Sequence, residues 1–273
     1  AKQMGGGTSD IQIALTALEE IKNTGVSLLD NFEDVFDYSN KGNDEVLMSV
    51  RFAELESAGN NYFKDMYIIG SAIPTNISEE AKETIGAIGG GSNNIVVPTD
   101  YVKSLYTSDD QRKNASFYEI YTIGDDEALT YYTTIVTKGK GTVIGGSRNF
   151  IDDIILYRYA DVLLMIAEAK NALGEDPSSE INEVRMRAYG DQFDAYAFSS
   201  GTIEENDAMI LEERLREMAF EGKRWWDLVR FDKALEMLPT LSEKENAEQK
   251  ILWPISTSVL SLENNLIQNP GYQ

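Results

Sequence analysis

The chain has 273 residues, 42% of them hydrophobic, which is enough to bury a substantial core in one large domain or two modest ones. Its 46 acidic and 24 basic residues give a formal net charge of −22, so its average surface repels phosphate backbones and anionic headgroups, and we expect no nucleic-acid partner. Since the sequence contains neither Cys nor His, it lacks thiolate nucleophiles, the commonest general base and the commonest transition-metal ligands.

The first 52 residues carry one helical pattern and one strand pattern. Ser9 and Asp10 can cap a helix that ends near Gly25. Its apolar residues recur at helical spacing: Ile11, Ala14, Leu15 and Leu18. Apolar residues then alternate over residues 44–52, which predicts a short strand.

Residues 53–149 are rich in Gly, Ser, Thr, Asn and Tyr, with a glycine-rich loop at 89–94. Strands are predicted only at 95–97, 116–121 and 131–137. A loop-rich stretch of this length is uncommon in a compact protein unless it is disordered or functional, and its many aromatic residues argue against disorder. We therefore predict that the binding surface lies in this region.

The remaining residues are patterned mainly as helices. Residues 154–173 are apolar on most of the helical circumference, which predicts a central helix in contact with several neighbours. Asp176 and Pro177 suit the start of a second helix that ends at Gly190, so the two form a helical hairpin. Capping boxes are predicted at 202–205 and 242–245.

Residues 213–230 combine an apolar stripe with charges at helical pairing distances. The predicted pairs are Glu212–Arg216, Glu221–Arg224, Lys223–Asp227 and Asp227–Arg230. Adjacent helical residues point about 100° apart, so Trp225 and Trp226 cannot face the same core, and we predict a helix wedged between two surfaces. Gly222 either breaks this helix or admits a close neighbour.

Four blocks of the C-terminal half carry a family resemblance. They are residues 158–169, 181–188, 213–230 and 251–255 with 268–272. In this order they resemble the signature of the SusD/RagB family of outer-membrane nutrient-binding lipoproteins. The likeness is close over the last 120 or so residues and loose before them. Ser256 departs from the family pattern, which usually has Pro there.

The resemblance implies a mainly α fold with minor β structure, built from tetratricopeptide-like helical hairpins and a loop-rich insert with short strands. It further implies that residues 1–273 are one SusD-like domain, the C-terminal part of a longer protein. Within it, residues 1–52 end a helical array and add a strand, residues 53–149 form the ligand-binding region, and residues 150–273 form the helical signature region.

The function that the resemblance implies is non-enzymatic binding of oligosaccharides, starch-like or other, at the outer-membrane cell surface. The partners would be the oligosaccharide and a SusC-like TonB-dependent transporter. Membrane contact would be made only through a lipid anchor that lies outside this chain. Three alternatives stay open: a peptide-binding member of the same family, a helical protein–protein interaction module, which is a different class of protein, and a glycoside hydrolase.

Candidate ligand-binding residues follow from what a sugar needs, namely flat apolar faces for the ring and polar groups for its hydroxyls. Residues 60–67 supply this mixture directly after the first strand. The candidates are Asn60, Asn61, Tyr62, Phe63 and Tyr67. Tyr131 and Tyr132 are weaker candidates, because a strand points the two rings to opposite faces and only one could be core.

Two sets of carboxylates raise other possibilities. Asp161 and Glu168 suggest a glycoside hydrolase, but seven helical residues separate their Cα atoms by about 10.5 Å. This separation is beyond the ~5 Å of a retaining pair and at the edge of the ~6.5 to 9.5 Å of an inverting pair. Since buried carboxylates need partners, we predict structural ion pairs. Residues 125–127 and 152–153 could offer oxygens to calcium, yet they lack a spaced binding loop and are expected to be solvated turns. No catalytic residue, metal or cofactor is predicted.

Overall fold

The computed structural model describes residues 6–56, 59–86, 90–91, 96–263 and 265–272. Helices dominate it, as the sequence predicts. The α-helices are α1 (Thr8–Ile21), α2 (Asn61–Lys64), α3 (Glu79–Ile85), α4 (Asp100–Ser104), α5 (Arg112–Ser116), α6 (Tyr159–Ala172), α7 (Ser178–Tyr189), α8 (Phe193–Tyr196), α9 (Ile203–Met218), α10 (Arg224–Arg230), α11 (Ala234–Met237), α12 (Pro239–Ser242) and α13 (Thr257–Leu262). The strands are β1 (Val46–Val50), β2 (Phe117–Ile123), β3 (Leu129–Val136), β4 (Thr142–Ile144), β5 (Ser147–Asn149) and β6 (Ile154–Arg158).

The predicted central helix is shorter than its sequence pattern suggests. Its first five residues, Ile154–Arg158, form β6, which pairs antiparallel with β1 so that Val50 faces Ile154 and Val46 faces Arg158. Bulky and β-branched residues at the start of this segment suit a strand, and the predicted strand at 44–52 provides its partner. The apolar run therefore spans a strand and a helix, which periodicity alone does not separate.

Helix α6 is nevertheless the centre of the C-terminal half. Val162, Leu163, Leu164 and Ile166 are almost completely buried. The surrounding apolar cluster includes Leu15 of α1, Val184 of α7 and Met218 of α9. The predicted hairpin of α6 and α7 is confirmed. Helix α7 begins at Ser178, one residue later than expected, and ends at Tyr189 with Gly190 as its C-cap.

The signature region 213–230 differs from its predicted form at the tryptophans. Helix α9 begins with the predicted capping box, in which Thr202 and Glu205 bond reciprocally, and ends at Met218. Phe220 and Gly222 both have positive φ, so the chain turns before α10, and Gly222 breaks the helix. Trp225 packs on the cluster around Leu228, but Trp226 is 57% exposed. The prediction of a helix wedged between two surfaces is therefore wrong for the described residues.

A buried ionic network joins this region to the rest of the chain. Among the described residues its buried members are five cations, Arg112, Lys138, Arg158, Arg185 and Arg187, and five carboxylates, Glu45, Asp110, Glu213, Glu217 and Glu221. The partly exposed Arg216 also reaches Glu213, at 3.5 Å. Arg158 is 1% exposed and reaches Glu217 at 2.6 Å, Glu45 at 2.8 Å and Glu221 at 2.9 Å. Burial alone would raise the pKa of Glu217, but Arg187, Arg158 and Arg112 together hold it well below its usual range.

Two of the four predicted helical ion pairs form, Glu212–Arg216 and Asp227–Arg230. The other two are wrong, because the turn at Gly222 redirects their members. Glu221 joins the network through Lys138 and Arg158, and Lys223 reaches Asp161 on α6 at 2.9 Å.

The insert 53–149 has its own core, formed by the β2–β3 hairpin, the helices beside it and Phe150 just after the insert. β2 pairs with β3 and β4 pairs with β5, both antiparallel. Buried apolar residues of this cluster include Phe63, Tyr67, Ile85, Ile120 and Ile135. Val96 and Val97 are not in a strand, contrary to prediction, while Ile95 and most of the loop at 89–94 lie outside the described residues. The capping box predicted at 242–245 is also wrong, because α12 ends at Ser242.

Candidate functional site

A polar cavity of about 590 Å³ lies between the insert and the turns that precede β1. Small-molecule sites typically measure roughly 300 to 1,000 Å³, so the cavity could hold one or more sugar rings. Its lining is charged, hydroxylic, amidic and aromatic. The lining residues are Glu33, Asp34, Phe36, Asp37, Tyr38, Ser39, Glu80, Thr84, Asn114, Ala115, Tyr118, Thr137, Lys140, Gly141, Thr142 and Asp152.

One wall of the cavity is set by a capped helix. Ser78 Oγ accepts a hydrogen bond from the backbone N–H of Ala81 at 3.1 Å and so begins α3. Glu80 lies in the first turn of this helix, where the positive helix end favours a carboxylate. Thr84, one turn further, lines the same wall.

The opposite wall is a short 3-10 turn, Tyr38–Asn40. The Asp37 carboxylate accepts hydrogen bonds from the backbone N–H and the hydroxyl of Ser39, both at 2.6 Å. These bonds lower the pKa of Asp37. The turn thus presents an ionised carboxylate and the Tyr38 ring to the cavity, and Lys41 Nζ lies 4.7 Å from the centre of that ring.

Gly141 closes the floor of the cavity where the chain enters β4. Its φ is +69°, and a Cβ placed there would lie 2.5 Å from the backbone oxygen of Asn149. Only glycine fits this approach, which brings Lys140 and Thr142 to the cavity edge.

Asp152 lies just before β6 and has the most unusual environment in the cavity. It is 5% exposed, and its Oδ2 has no hydrogen-bond partner in the described part of the chain. Burial raises the pKa of Asp152 to about 6, although backbone N–H groups of Asp152 and Gly141 act in the opposite direction. The expectation of a solvated turn at 152–153 is therefore wrong. Asp153 is also engaged, accepting from the backbone N–H of Phe52 at 3.0 Å and pairing with Lys41 at 2.8 Å.

The aromatic faces of the cavity come from Tyr38, Tyr118 and Phe36. Tyr118 packs on the insert core, and burial together with the neighbouring Glu80 carboxylate raises its pKa. Rings of this kind cover the C–H face of a sugar, while Asn114, Thr137 and the carboxylates can bond its hydroxyls. The arrangement can bind a polyhydroxylated ligand.

Of the five predicted ligand-binding residues, three are buried. Asn60 caps α2 through Tyr62 N–H and donates from Nδ2 to the backbone oxygen of Asp152 at 3.1 Å. Phe63 and Tyr67 belong to the insert core, and the Tyr67 hydroxyl donates to the Ile85 oxygen at 3.0 Å. In this conformation none of the three presents its side chain to a ligand. Asn60 instead supports the backbone beside the cavity.

The other two, Asn61 and Tyr62, are exposed. The Tyr62 hydroxyl donates to the backbone oxygen of Phe220 at 3.1 Å, and burial of the ring followed by the Glu221 charge raises its pKa. A ligand surface at this loop is therefore restricted to these two side chains, and it remains a prediction.

The weaker candidates Tyr131 and Tyr132 are both exposed, at 45% and 44%, so neither ring belongs to the core. The Tyr132 hydroxyl donates to the Ala72 oxygen at 2.7 Å, and Tyr131 packs edge-to-face on Tyr121 of β2.

Asp161 and Glu168 form ion pairs, as predicted. Asp161 contacts Arg214 and Lys223, each at 2.9 Å, and Glu168 contacts Arg230 at 2.7 Å. Burial alone would raise the pKa of Asp161, but Arg214 and Lys223 lower it, so it does not have the raised pKa of a general acid.

These pairs border an apolar groove of about 340 Å³ between α1, α6 and α10. Ile11 and Leu18 of α1 face Met165 of α6 across it, and the exposed Trp226 and Tyr157 lie at its edge. The apolar groove is chemically unlike the polar cavity.

Sequence reasoning named none of the lining residues as a sugar-binding candidate, because they come from separate segments. Glu80, Asn114, Tyr118 and Lys140 fall within the predicted binding region 53–149, but residues 33–39 and Asp152 fall outside it. The one available signal was the cluster of carboxylates and Tyr38 in 33–39, which has no helical or strand period. Across the described ranges, no group of three or more Asp or Glu side chains is arranged to hold a metal ion, and no helix is long and apolar enough to cross a membrane.

The fold and the cavity together define a helical scaffold that carries a polar cavity as its candidate site. The sequence model of the SusD family matches residues 130–239. SusD-like protein P38 of Formosa agariphila is 37% identical over 135 residues, which are 45% of this chain and 25% of that protein. The starch-binding protein SusD of Bacteroides thetaiotaomicron is 31% identical over 132 residues, 44% of this chain and 22% of that protein.

The structure of B. fragilis NanU superimposes with a TM-score of 0.84 at 34% identity and covers 100% of this chain, which corresponds to 60% of the NanU chain. The chain belongs to the SusD/RagB family. It spans less than two thirds of each of these relatives.

Proposed function

We propose that the protein binds oligosaccharides at the bacterial cell surface and that the polar cavity is where it holds them. The observation that carries this proposal is the cavity itself, in which Tyr38 and Tyr118 lie among carboxylates, an amide and hydroxyls on a SusD/RagB scaffold. A relative named as starch-binding, 31% identical over the matched segment, supports the same class of ligand.

Binding in this proposal involves no covalent step and no cofactor. Its support is the state of the carboxylates that could otherwise act in hydrolysis, since Asp161 and Glu168 are held in ion pairs with Arg214, Lys223 and Arg230. Family membership further supports a lipid-anchored position on the outer membrane and delivery of the bound glycan to a SusC-like TonB-dependent transporter. Both belong to the longer protein, of which this chain would be one part.

Isothermal titration calorimetry with maltohexaose, laminarihexaose and other uncharged hexasaccharides tests the proposal. Asn114→Ala removes a polar lining group and Tyr118→Ala an aromatic one. Each should reduce the affinity for the saccharide at least roughly tenfold, or by about 1.4 kcal/mol of binding free energy. Tyr101→Ala, which truncates an exposed ring on α4, is the matched control and should bind like the unmodified protein. Peptides binding in the cavity while every saccharide fails would replace the glycan with a peptide ligand.

The loop at 60–67 is tested separately. If Asn61 and Tyr62 contribute a second contact surface, Tyr62→Ala should also reduce the affinity for the saccharide. Unchanged affinity would leave the cavity as the binding surface and would remove this loop from the site. Tyr67→Ala is unsuitable for this purpose, because it would open the insert core.

The apolar groove favours a second candidate function, the binding of an amphipathic helix from a protein partner. The apolar floor of the groove would contact the apolar face of such a helix, and the ion-paired side chains beside it would contact the polar residues at the helix edge. The two functions separate experimentally, because Trp226→Glu should block a helical partner and leave saccharide binding in the cavity unchanged.

A further inference from the structure

The charge of the cavity restricts which saccharides it can hold. Five of its lining side chains are carboxylates, Glu33, Asp34, Asp37, Glu80 and Asp152. Against them, the described lining offers one basic side chain, Lys140, which is exposed. Lys41 and Arg148 do not line the cavity but lie close enough to act on the Asp152 carboxylate, so the carboxylates still outnumber the nearby cations by five to three. The imbalance follows the chain as a whole, whose net charge is −22. A ligand that enters the cavity therefore meets a negative potential, and the low-dielectric walls weaken its screening.

Asp152 adds a requirement for a hydrogen-bond donor. Asp152 lines the cavity and is 5% exposed, but its unpartnered Oδ2 is itself buried, so the side chain must turn toward the cavity before a donor can reach this oxygen. A buried acceptor without a partner costs free energy until a donor reaches it. A sugar hydroxyl can donate this bond, whereas the carboxylate or sulfate of an acidic sugar is an acceptor only and would place two anions in contact.

The other carboxylates divide into engaged and available groups. Asp37 accepts two bonds from Ser39, and Asp34 accepts from Asn31 Nδ2 at 3.0 Å. Their charge persists in the cavity, but part of their acceptor capacity is already used. Glu80 is exposed in the first turn of α3, so it can both repel an anion and accept from a hydroxyl.

We propose that this cavity selects uncharged oligosaccharides and rejects those bearing carboxylate or sulfate groups. The inference rests on the proposed function and deepens it by assigning the charge class of the ligand. In the bound state Glu80 accepts from a ring hydroxyl, Asp152 Oδ2 accepts from another once its side chain turns toward the cavity, and Tyr38 or Tyr118 covers a ring face.

The test is calorimetric titration of the protein, at low and high salt, with two sets of hexasaccharides. One set is uncharged, maltohexaose, laminarihexaose, cellohexaose, xylohexaose and mannohexaose, and the other is acidic, hexagalacturonate and hexaguluronate. At 50 mM NaCl, the best uncharged ligand should bind at least roughly tenfold more tightly than either acidic one. At 500 mM NaCl this ratio should fall, because salt screens the repulsion.

Two variants and a control connect the ratio to the cavity. Glu80→Gln removes one charge at unchanged shape. It should raise the affinity for the acidic ligand and so reduce the ratio of uncharged to acidic affinity severalfold. Asp152→Asn should weaken the uncharged ligand, and circular dichroism will show that the variant remains folded. Glu204→Gln removes an exposed carboxylate at the start of α9, far along the chain from the lining residues, and should leave the ratio unchanged.

The outcomes distinguish the two proposals. Acidic hexasaccharides that bind as tightly as the uncharged ones, or a ratio that Glu80→Gln and Glu204→Gln alter equally, would overturn the charge selection while leaving glycan binding intact. Failure of both sets to bind would contradict the proposed function itself.

Discussion

Arg158 offers the sharpest test of how the signature region stabilises the protein. Replacing it with Met keeps most of the side-chain volume but removes the cation that joins Glu45, Glu217 and Glu221. The network then holds five carboxylates and four cations in a region that excludes water. Breaking a buried ion pair on one side costs roughly 3 to 5 kcal/mol, because the partner charge remains buried.

In a protein of this size, each kcal/mol shifts the melting temperature by roughly 2 to 4 °C, so Arg158→Met should melt about 6 to 20 °C lower. Urea unfolding followed by circular dichroism measures the free energy directly. Arg51→Met, an exposed arginine just after β1, is the control and should change stability by less than about 0.5 kcal/mol.

The pH dependence has a definite sign. The lowered pKa of Glu217 means that its ionised form stabilises the native state above the ordinary pKa of 4.5, and this stabilisation is lost only as pH falls through the lower native value. Without Arg158 a buried carboxylate takes up a proton more readily. The stability difference between the two proteins should therefore shrink by about 1 kcal/mol or more between pH 7.5 and pH 4.5. If Arg158→Met lowers the free energy of unfolding by less than about 1 kcal/mol, or by the same amount at both pH values, this account of the network is refuted.

Three further predictions concern stability at single positions, each measured by urea unfolding. Thr202→Ala removes the α9 capping box and should cost about 0.5 to 2 kcal/mol, whereas Thr202→Ser should retain most of it. Leu228→Ala, at 1% exposure, should cost roughly 2 to 5 kcal/mol, while Trp226→Ala nearby should cost far less because its ring is 57% exposed; equal losses would contradict the observed orientation of α10. Burial raises the pKa of Asp152 to about 6, so the native state favours the protonated carboxyl. The stability that this preference contributes is fully present below the ordinary pKa of 3.8 and is lost as pH rises through 6. Asp152→Asn should therefore be more stable than the unmodified protein at pH 8 and lose this advantage at pH 4, and a variant less stable at pH 8 would count against the unpaired Oδ2.

Sequence patterns predicted the elements whose cause is local. The box at Thr202 and Glu205 and the hairpin ending at Gly190 depend on neighbouring residues, and both are confirmed. The strand Ile154–Arg158 was predicted as helix, because its conformation depends on pairing with β1, about a hundred residues earlier. Residues 242–245 have the residue types of a capping box, but no helix begins there.

The site was less predictable than the fold, for a physical reason. Asn60, Phe63 and Tyr67 have the residue types of a sugar site, yet the chain uses the two rings to fill the insert core and the amide to cap a helix. Composition cannot tell an exposed aromatic residue from a buried one in a segment without a period. Asp152 was noticed in sequence only as one of two adjacent carboxylates and was expected to be solvated, since its environment comes from burial beside residues distant in the chain.

The ionic network also limits how the protein can be re-engineered. Arg112 and Lys138 lie within the loop-rich insert, but their partners Glu213, Glu217 and Glu221 lie on α9 and in the turn that follows it. Transplanting the whole insert from a relative would leave unpaired charges on both sides of the graft unless those two positions matched. A graft that keeps these two residues of the recipient would exchange the cavity walls alone, so the walls at Glu80 and Thr142 are the natural unit for redirecting specificity.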